Sequence, residues 1–571
     1  MSNSATTALG SDAQRAQLLA QLNAQPWDIV VIGGGITGAG ILLEASRRGL
    51  RALLVEQRDF AWGTSSRSSK LVHGGLRYLK EGKLGMTRDS VRERQSLMHE
   101  AAGLVDLQSF AFADYKGRKP GRWMFQLGLA IYDRLAGQKA RHYFPANDFL
   151  MLAPHIARTD LQGGLCYVDA KTDDARLVLR VLQEARSLGG VAINYLAAQQ
   201  LLRVSNSADG AVSGVQLRDV VRDAVHGVAS GIGGDVAAGA QGEASLRVHA
   251  KVVINATGAW ADRLRQQQGA APKLRPLRGS HLVLPAWRLP IAQAISLMHP
   301  EDGRPVFAYP WEGATLVGTT DIDHSGDLQA EATITAAEVR YLLAALHFQF
   351  PLLQLTQDDV IATYAGVRPV IDTGKADPSK EGRDHAVWME QGLLTVTGGK
   401  LTTFRLIALD ALRHLAHLWP ALAEPLPADA TLLKPSTALP AHKGLRTQQR
   451  QRLQGHYGAE AAAVVEAAQP NELQTIPGTE TLWVELRWAA RHEAEVHLQD
   501  LLLRRARLGL LLRGGGVDHL LRIRAICQTE LGWDDSRWDS EQAAYLALWQ
   551  QHYSPKPYDD TAITTSGSLH V

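Results

Sequence analysis

The chain has 571 residues, 45% hydrophobic and 21% charged, with a formal charge of +2 from 60 Lys+Arg against 58 Asp+Glu. Roughly two to four domains with large cores fit that length, and the composition excludes wholesale disorder. The near-neutral balance argues against a nucleic-acid partner. Two cysteines, Cys166 and Cys527, are too few for a disulfide scaffold or a cysteine zinc site, so no metal is expected and a reducing compartment fits.

The first 26 residues lack the apolar core of a signal peptide. Leu18, Leu19 and Leu22 suggest a short amphipathic helix in this extension. No apolar run reaches the roughly 18–20 residues that a spanning helix needs. LLLRRARLGLLL, from Leu501, comes nearest, but it is too short and carries three arginines.

From Trp27, WDIVVIGGG reads as a buried parallel strand ending in glycines. ITGAGILLEASRRGL follows as a helix closed near Gly49, and RALLVEQ as a second strand, which makes a βαβ unit. Aromatic and basic residues crowd 106–168. DDARLVLRVLQEARSLGG predicts a helix with Asp173 or Asp174 at its N-cap. The Gly/Ala/Ser-rich stretch from Val225 reads as a surface hairpin with a flexible tip, and KVVINATGAWADRLR as a buried strand and then a helix. Between 275 and 364, SHLVLP, PVFAYP and ATLVGTT predict a separate, mostly antiparallel sheet, with a helix capped by Thr335 inside it. GLLTVTGGKLTTFRLIALDALRHLAHLW is a strand, a glycine turn and a long helix. Beyond 421 a Pro/Ala linker leads to a helical region, and the tail after Tyr553 is expected to fray.

Gly33, Gly35 and Gly38 form a GxGxxG between the first strand and its helix. Gly33 permits the tight turn, Gly35 lets a pyrophosphate approach the backbone, and Gly38 lets helix pack on strand. The helix N-terminus then offers unpaired N–H groups and a positive dipole end. Glu56, ending the second strand, suits the hydroxyls of an adenosine ribose. FAD and NAD share this fingerprint. Thr257-Gly258 ends a later strand, and Gly399-Lys400-Leu401-Thr402 opens a further helix. Contact from the start, middle and end of a chain is the habit of FAD proteins. TSSRSSKLVHGGLRYL, from Thr64, has too many Ser and Gly residues for a helix and suits a loop around a polar ligand. His73 within it reads either as a flavin contact or as a structural histidine.

IGGGITGAG, TSSRSSKLVHGGLRYL, NATGAW, RGSHLVLP, PWEGATLVGTTD, TYAGVRPV and TGGKLTTFR, in this order, closely resemble the FAD-dependent respiratory glycerol-3-phosphate dehydrogenases. The match runs from about Trp27 to Leu412 and is looser beyond; the N-terminal extension and the insert near Val225 depart from it. The resemblance implies an α/β protein with three parts. A Rossmann-like FAD-binding domain of the glutathione-reductase/D-amino-acid-oxidase type takes 27–105, 169–265 and 366–420. A mostly antiparallel substrate domain takes 106–168 and 266–365. An α-helical C-terminal domain takes 421–552, between the extension 1–26 and the tail 553–571. It also implies oxidation of sn-glycerol 3-phosphate to dihydroxyacetone phosphate. The C2 hydride would pass to FAD and the electrons to a membrane quinone, from a body bound peripherally to the cytoplasmic membrane surface. A homodimer is one candidate assembly.

On this resemblance the cofactor contacts are Gly33, Gly35, Gly38, Glu56, Thr64, Ser65, Ser68, Lys70, Leu71, His73, Thr257, Gly258, Gly399, Lys400, Leu401 and Thr402. The chemistry of the residues agrees. A phosphate monoester needs forked donors or several cations, and Arg77, Arg368 and Lys400 lie in the ligand-loop segments. Arg383 matches a further basic position of the family, while Tyr78 and Thr402 add hydroxyls. Arg368 is the first candidate to stabilise a developing alkoxide. His73 and His281 are the available imidazoles for proton acceptance, the sequence does not choose between them, and water could serve instead. An amine or hydroxy-acid oxidase of related plan, or a glycerol-3-phosphate oxidase using oxygen, are the rival readings. For membrane contact, Tyr115 to Phe144 offers Lys116, Arg118, Lys119 and Arg122 ahead of Trp123, Leu127 and Ile131, with Phe125, Leu129 and Tyr132 near them.

Overall fold

The computed structural model describes residues 12–76, 82, 84–118, 121–137, 139–204, 210–221, 245–375, 381–382, 384–425, 427, 430–434 and 438–557. The expected hairpin from Val225 and the last residues of the tail lie outside them.

Trp27–Ile32 is buried at nearly every position, as a strand covered on both faces must be. It forms the centre of an eight-stranded sheet, pairing in parallel with Ala52–Val55 on one side and Leu246–Asn255 on the other. Val191–Ile193 and Leu393–Gly398 extend the parallel array outward, and His385–Glu390 closes one edge antiparallel. Leu196–Arg203 and Val212–Asp219 branch off as an antiparallel pair. The helices Ile36–Arg47, Asp174–Ser187 and Phe404–Arg413 fill one face with a continuous aliphatic core. The extension joins the other face: Leu22 is buried there, with Leu18 and Leu19 packed beside it, as the amphipathic pattern predicts. Asp173 is the N-cap of its helix and accepts from the Arg176 N–H.

Register decides where ligands bind. Ile32 pairs with both Val55 and Asn255, and Asn255 with Thr395. The carboxyl ends of these strands therefore lie side by side, and each releases a small-residue turn at the edge where α/β sheets bind ligands.

Among the described residues the second sheet has ten strands and is antiparallel except where Ala294–Met298 runs parallel to Val105–Tyr115. Ala336–Gln349 covers one face, capped by Thr335 in a reciprocal box with Glu338. Helices of the C-terminal region cover the other, where Trp483, Leu501, Leu502 and Trp538 pack against Phe110, Tyr309 and Trp311. Ala362–Ile371 lies wholly in this sheet, beside Leu274–Pro285. Leu71–Val72 pairs with Leu161–Thr172 in it as well. The chain thus enters the second layer inside segments expected to belong wholly to the first, because both strands carry ligand-loop residues that face the border between the layers. Leu501–Leu511 is buried throughout, and its three arginines are ion-paired inside the protein.

Candidate active site

A cavity of about 410 Å³ opens at the carboxyl ends of the parallel strands, between the two sheets. Its floor is the glycine turn. Gly33 has φ +118°, and a Cβ there would stand 2.5 Å from the Ala256 carbonyl oxygen; one on Gly38 would stand 1.9 Å from that of Gly33. Both positions must be bare for this strand and helix to meet. Glu56 accepts from the Gly34 N–H at 2.7 Å and the Arg58 N–H at 2.9 Å, so the carboxylate meant for a ribose also braces the turn. Burial pushes its carboxyl up in spite of these bonds. At the helix N-terminus the Ile36 N–H donates to Ser65 Oγ at 3.0 Å, which ties the loop from Thr64 to the phosphate end. Glycine turn, helix N-terminus and carboxylate are together what the adenosine and pyrophosphate of a dinucleotide such as FAD need, and the volume falls in the range of ligand pockets.

The opposite wall comes from the second sheet and the Gly399 turn. Arg368 lies across Gly279, where a Cβ would stand 2.5 Å from its Nη2. Its guanidinium donates to Asp321 Oδ1 at 3.0 Å and to Thr319 Oγ1 at 3.3 Å. Lys400 Nζ and Thr402 Oγ1 both donate to the His73 carbonyl, at 3.4 and 3.2 Å. Burial pulls the Lys400 ammonium down to about 8, against the supporting charge of Asp169. His281 stands behind the wall: it stacks on Tyr364 at 4.6 Å and meets Ser69 Oγ through Nε2 at 2.9 Å. Burial, with Arg368 and Lys70 adding to it, holds this imidazole well below its usual range and therefore neutral.

Most of the residues singled out from sequence meet here. Gly33, Gly35, Glu56, Thr64, Ser65, Ser68, Leu71, His73, Thr257, Gly258, Arg368, Gly399, Lys400, Leu401 and Thr402 line one cavity. Gly38 lies beneath it as a packing contact. Lys70 differs from the expectation of a cofactor contact. Its side chain turns under the loop, where Nζ donates to Asp174 Oδ1 and the Ser66 carbonyl, both at 2.9 Å. Its backbone is left-handed at φ +51°, and the fully buried ammonium finds its counter-ion only on that side. Arg77, Tyr78 and Arg383 lie outside the described residues.

Trp62, Trp260 and Thr319 are among the cavity residues that the sequence did not single out. Trp62 and Trp260 face each other with centroids 5.7 Å apart, and their indole N–H groups donate to Glu331 and the Leu328 carbonyl. Thr319 hydrogen-bonds Arg368, as does Asp321 just behind it. The signals were adjacency, AWG before the Ser-rich loop and GAW after NAT, and the TTD that closes a quoted motif.

The family described as FAD dependent oxidoreductase matches residues 28–405, and the C-terminal domain of alpha-glycerophosphate oxidase matches 424–538. An aerobic glycerol-3-phosphate dehydrogenase of Staphylococcus epidermidis is 37% identical over 412 residues, 71% of this chain and 70% of that one. Glycerol-3-phosphate dehydrogenase 2 of Mycobacterium tuberculosis is 35% identical over 559 residues, 94% of this chain and 90% of that one. The FAD-complexed glycerol-3-phosphate dehydrogenase of Bacillus halodurans superposes with a TM-score of 0.71 at 26% identity, covering 95% of this chain and 98% of that one. The chain belongs to the FAD-dependent oxidoreductases and, within them, to the glycerol-3-phosphate dehydrogenase family.

Proposed function

We propose that this enzyme oxidises sn-glycerol 3-phosphate at C2 to dihydroxyacetone phosphate. The observation that carries this reading is the convergence of Arg368, Lys400, Thr402 and His73 on the cavity that holds the glycine cradle. FAD, when bound, supplies a two-electron acceptor for the C2 hydride. Gly33, Gly35 and the helix N-terminus hold its pyrophosphate, Glu56 its ribose, and the loop from Thr64 to His73 its ring. Lys400 and Thr402 bind the substrate phosphate. Arg368, aimed by Asp321 and Thr319, stabilises negative charge on the C2 oxygen as its proton leaves. That proton goes to an imidazole, either His73 on the wall or the neutral His281 reached through Ser69 Oγ. Anaerobic bleaching of the bound flavin by glycerol 3-phosphate, and none by glycerol, is the expected result. Bleaching by an amino acid instead would replace this reading with that of an amine oxidase.

The reduced enzyme passes its electrons to a quinone at the cytoplasmic membrane surface. Among the described residues no helix is long and apolar enough to cross a membrane. The helix Arg122–Ala136 nevertheless turns Trp123, Met124, Leu127 and Ile131 outward at 77, 65, 65 and 40% exposure, while Leu129 and Tyr132 are buried. Lys116 and Arg118 precede it, Arg122 opens it, and Lys119 lies outside the described residues. An exposed Trp/Leu face next to cations suits an anionic lipid surface. Oxygen as acceptor is the second reading, favoured by the matched domain's description as part of a glycerophosphate oxidase. Reoxidation rates with a quinone analogue and with oxygen decide between them.

A further inference from the structure

The peptide joining His73 to Gly74 is held from both sides. Its carbonyl accepts from Lys400 and Thr402, and its N–H donates to Asp169 Oδ1 at 3.0 Å. Asp169 does not line the cavity. It is a buried carboxylate that also accepts from Arg94 Nη1 at 2.8 Å and from the Tyr132 hydroxyl at 3.2 Å. Arg94 closes the triangle by donating to the Tyr132 oxygen at 2.8 Å. Gly74 is bare for the same reason, since a Cβ there would stand 2.1 Å from that oxygen. Three donors fix the carboxylate, and the carboxylate fixes the plane of the peptide.

We propose that Asp169 is a positioning residue for the reaction: by holding the Gly74 N–H it aims the His73 carbonyl at Lys400 and Thr402, and so sets where the Lys400 ammonium meets the substrate phosphate. This rests on the phosphate-binding role proposed above for Lys400. Asp169 also faces Lys400 electrostatically and helps it keep its proton. The other ionisable groups around the pair are His73 from the ligand loop, Arg94 from the helix Leu84–Glu100, Tyr132 from the exposed apolar helix and Tyr167 from Asp169's own strand. Through Tyr132, the helix suited to a lipid surface touches the same carboxylate as the active-site peptide.

The test uses the FAD-loaded enzyme. Asp169→Asn weakens the hold on the Gly74 N–H, from a charge-assisted to a neutral hydrogen bond, and removes the charge. It is expected to retain flavin, to raise KM for glycerol 3-phosphate about tenfold with a much smaller change in kcat, and to move the alkaline limb of kcat/KM to lower pH. A variant with the wild-type KM and the wild-type limb overturns the proposal. Lys400→Met, assayed alongside, separates this from its premise: near-normal KM there removes Lys400 from phosphate binding, whereas a damaged Lys400→Met beside an undisturbed Asp169→Asn refutes only the role of Asp169. If Asp169→Asn loses its flavin, Tyr132→Phe carries the test. Loss of one neutral donor is expected to raise KM about fivefold with the limb unmoved, and an unchanged KM overturns the proposal.

Discussion

Arg368 is held in place by a carboxylate that competes with the substrate for it. Asp321 sits 3.0 Å from Nη1 and is nearly buried, so the guanidinium is oriented and its charge partly offset before any phosphate or alkoxide arrives. Arg368→Ala should keep its flavin and lose roughly tenfold to a hundredfold in kcat/KM, the worth of one charge-assisted contact of about 1.5–3 kcal/mol. Part of that loss comes from the Asp321 charge left facing an anionic substrate, so the double variant Arg368→Ala/Asp321→Asn should recover some of it. Steady-state kinetics on the three proteins measures this, and a double variant worse than the single one would remove Asp321 from the account. Lys400 sets the pH dependence. Its ammonium, brought down to about 8, is charged below that pH and neutral above it. A phosphate monoester with its second pKa near 6 is already a dianion there. Both charges are therefore present between about pH 6 and pH 8, and kcat/KM falls as pH rises through about 8, the limb reporting the free enzyme. In Lys400→Arg the cation persists at every accessible pH, so a pH profile without that limb is expected.

At the scale of elements, the glycine cradle was legible because close approach forces it: 1.9 Å at Gly38 and 2.5 Å at Gly33 leave no other residue for those positions. The strand and helix periods carried the parallel sheet, the caps at Asp173 and Thr335, and the antiparallel layer. What stayed hidden were pairings across long sequence separations, such as Asp321 with Arg368, Asp169 with Gly74 and Asp174 with Lys70, since no local pattern encodes a partner 47, 95 or 104 residues away. The helix Arg122–Ala136 carries apolar residues on more than one face. The fold uses both, Leu129 and Tyr132 inward and Trp123, Met124 and Leu127 outward. Trp123→Glu with Leu127→Glu should therefore leave folding and dye-linked turnover unchanged, since both side chains are exposed, while flotation with anionic vesicles and quinone reductase activity fall together. Equal flotation of variant and wild type would place the lipid contact elsewhere.

Across the whole molecule, the C-terminal helices brace the loop that lines the cavity from behind, although sequence set them apart as a separate domain. The run Leu501–Leu512 reads as apolar with stray arginines; folded, each arginine reaches into the flavin-binding layer. Arg504 and Arg505 donate to Asp59, at 2.5 Å and at 2.6 and 2.8 Å, and hold its carboxyl down to about 2. Arg507 donates to Asp173 at 3.0 Å, to the Ser66 carbonyl at 3.3 Å, and to Asp174. Asp174 in turn accepts the Ser68 N–H at 3.0 Å and the Ser68 hydroxyl at 2.7 Å, so a side chain more than 430 residues downstream shapes the loop that lines the cavity. Removing one member of a buried ion pair leaves the other charge uncompensated, at a cost of roughly 3–5 kcal/mol. Arg507→Met should accordingly lower the melting temperature by several degrees and weaken retention of FAD. Because FAD binds only the folded loop and stabilises it by an amount that shrinks as its Kd rises, a given FAD concentration should raise the melting temperature less in the variant than in the wild type. Arg522→Met supplies the control, since its guanidinium lies on Trp483 away from the loop. Thermal denaturation of both variants across a series of FAD concentrations is the measurement. If Arg507→Met melts lower yet holds FAD as tightly as the wild type, the arginine braces the fold without shaping the loop.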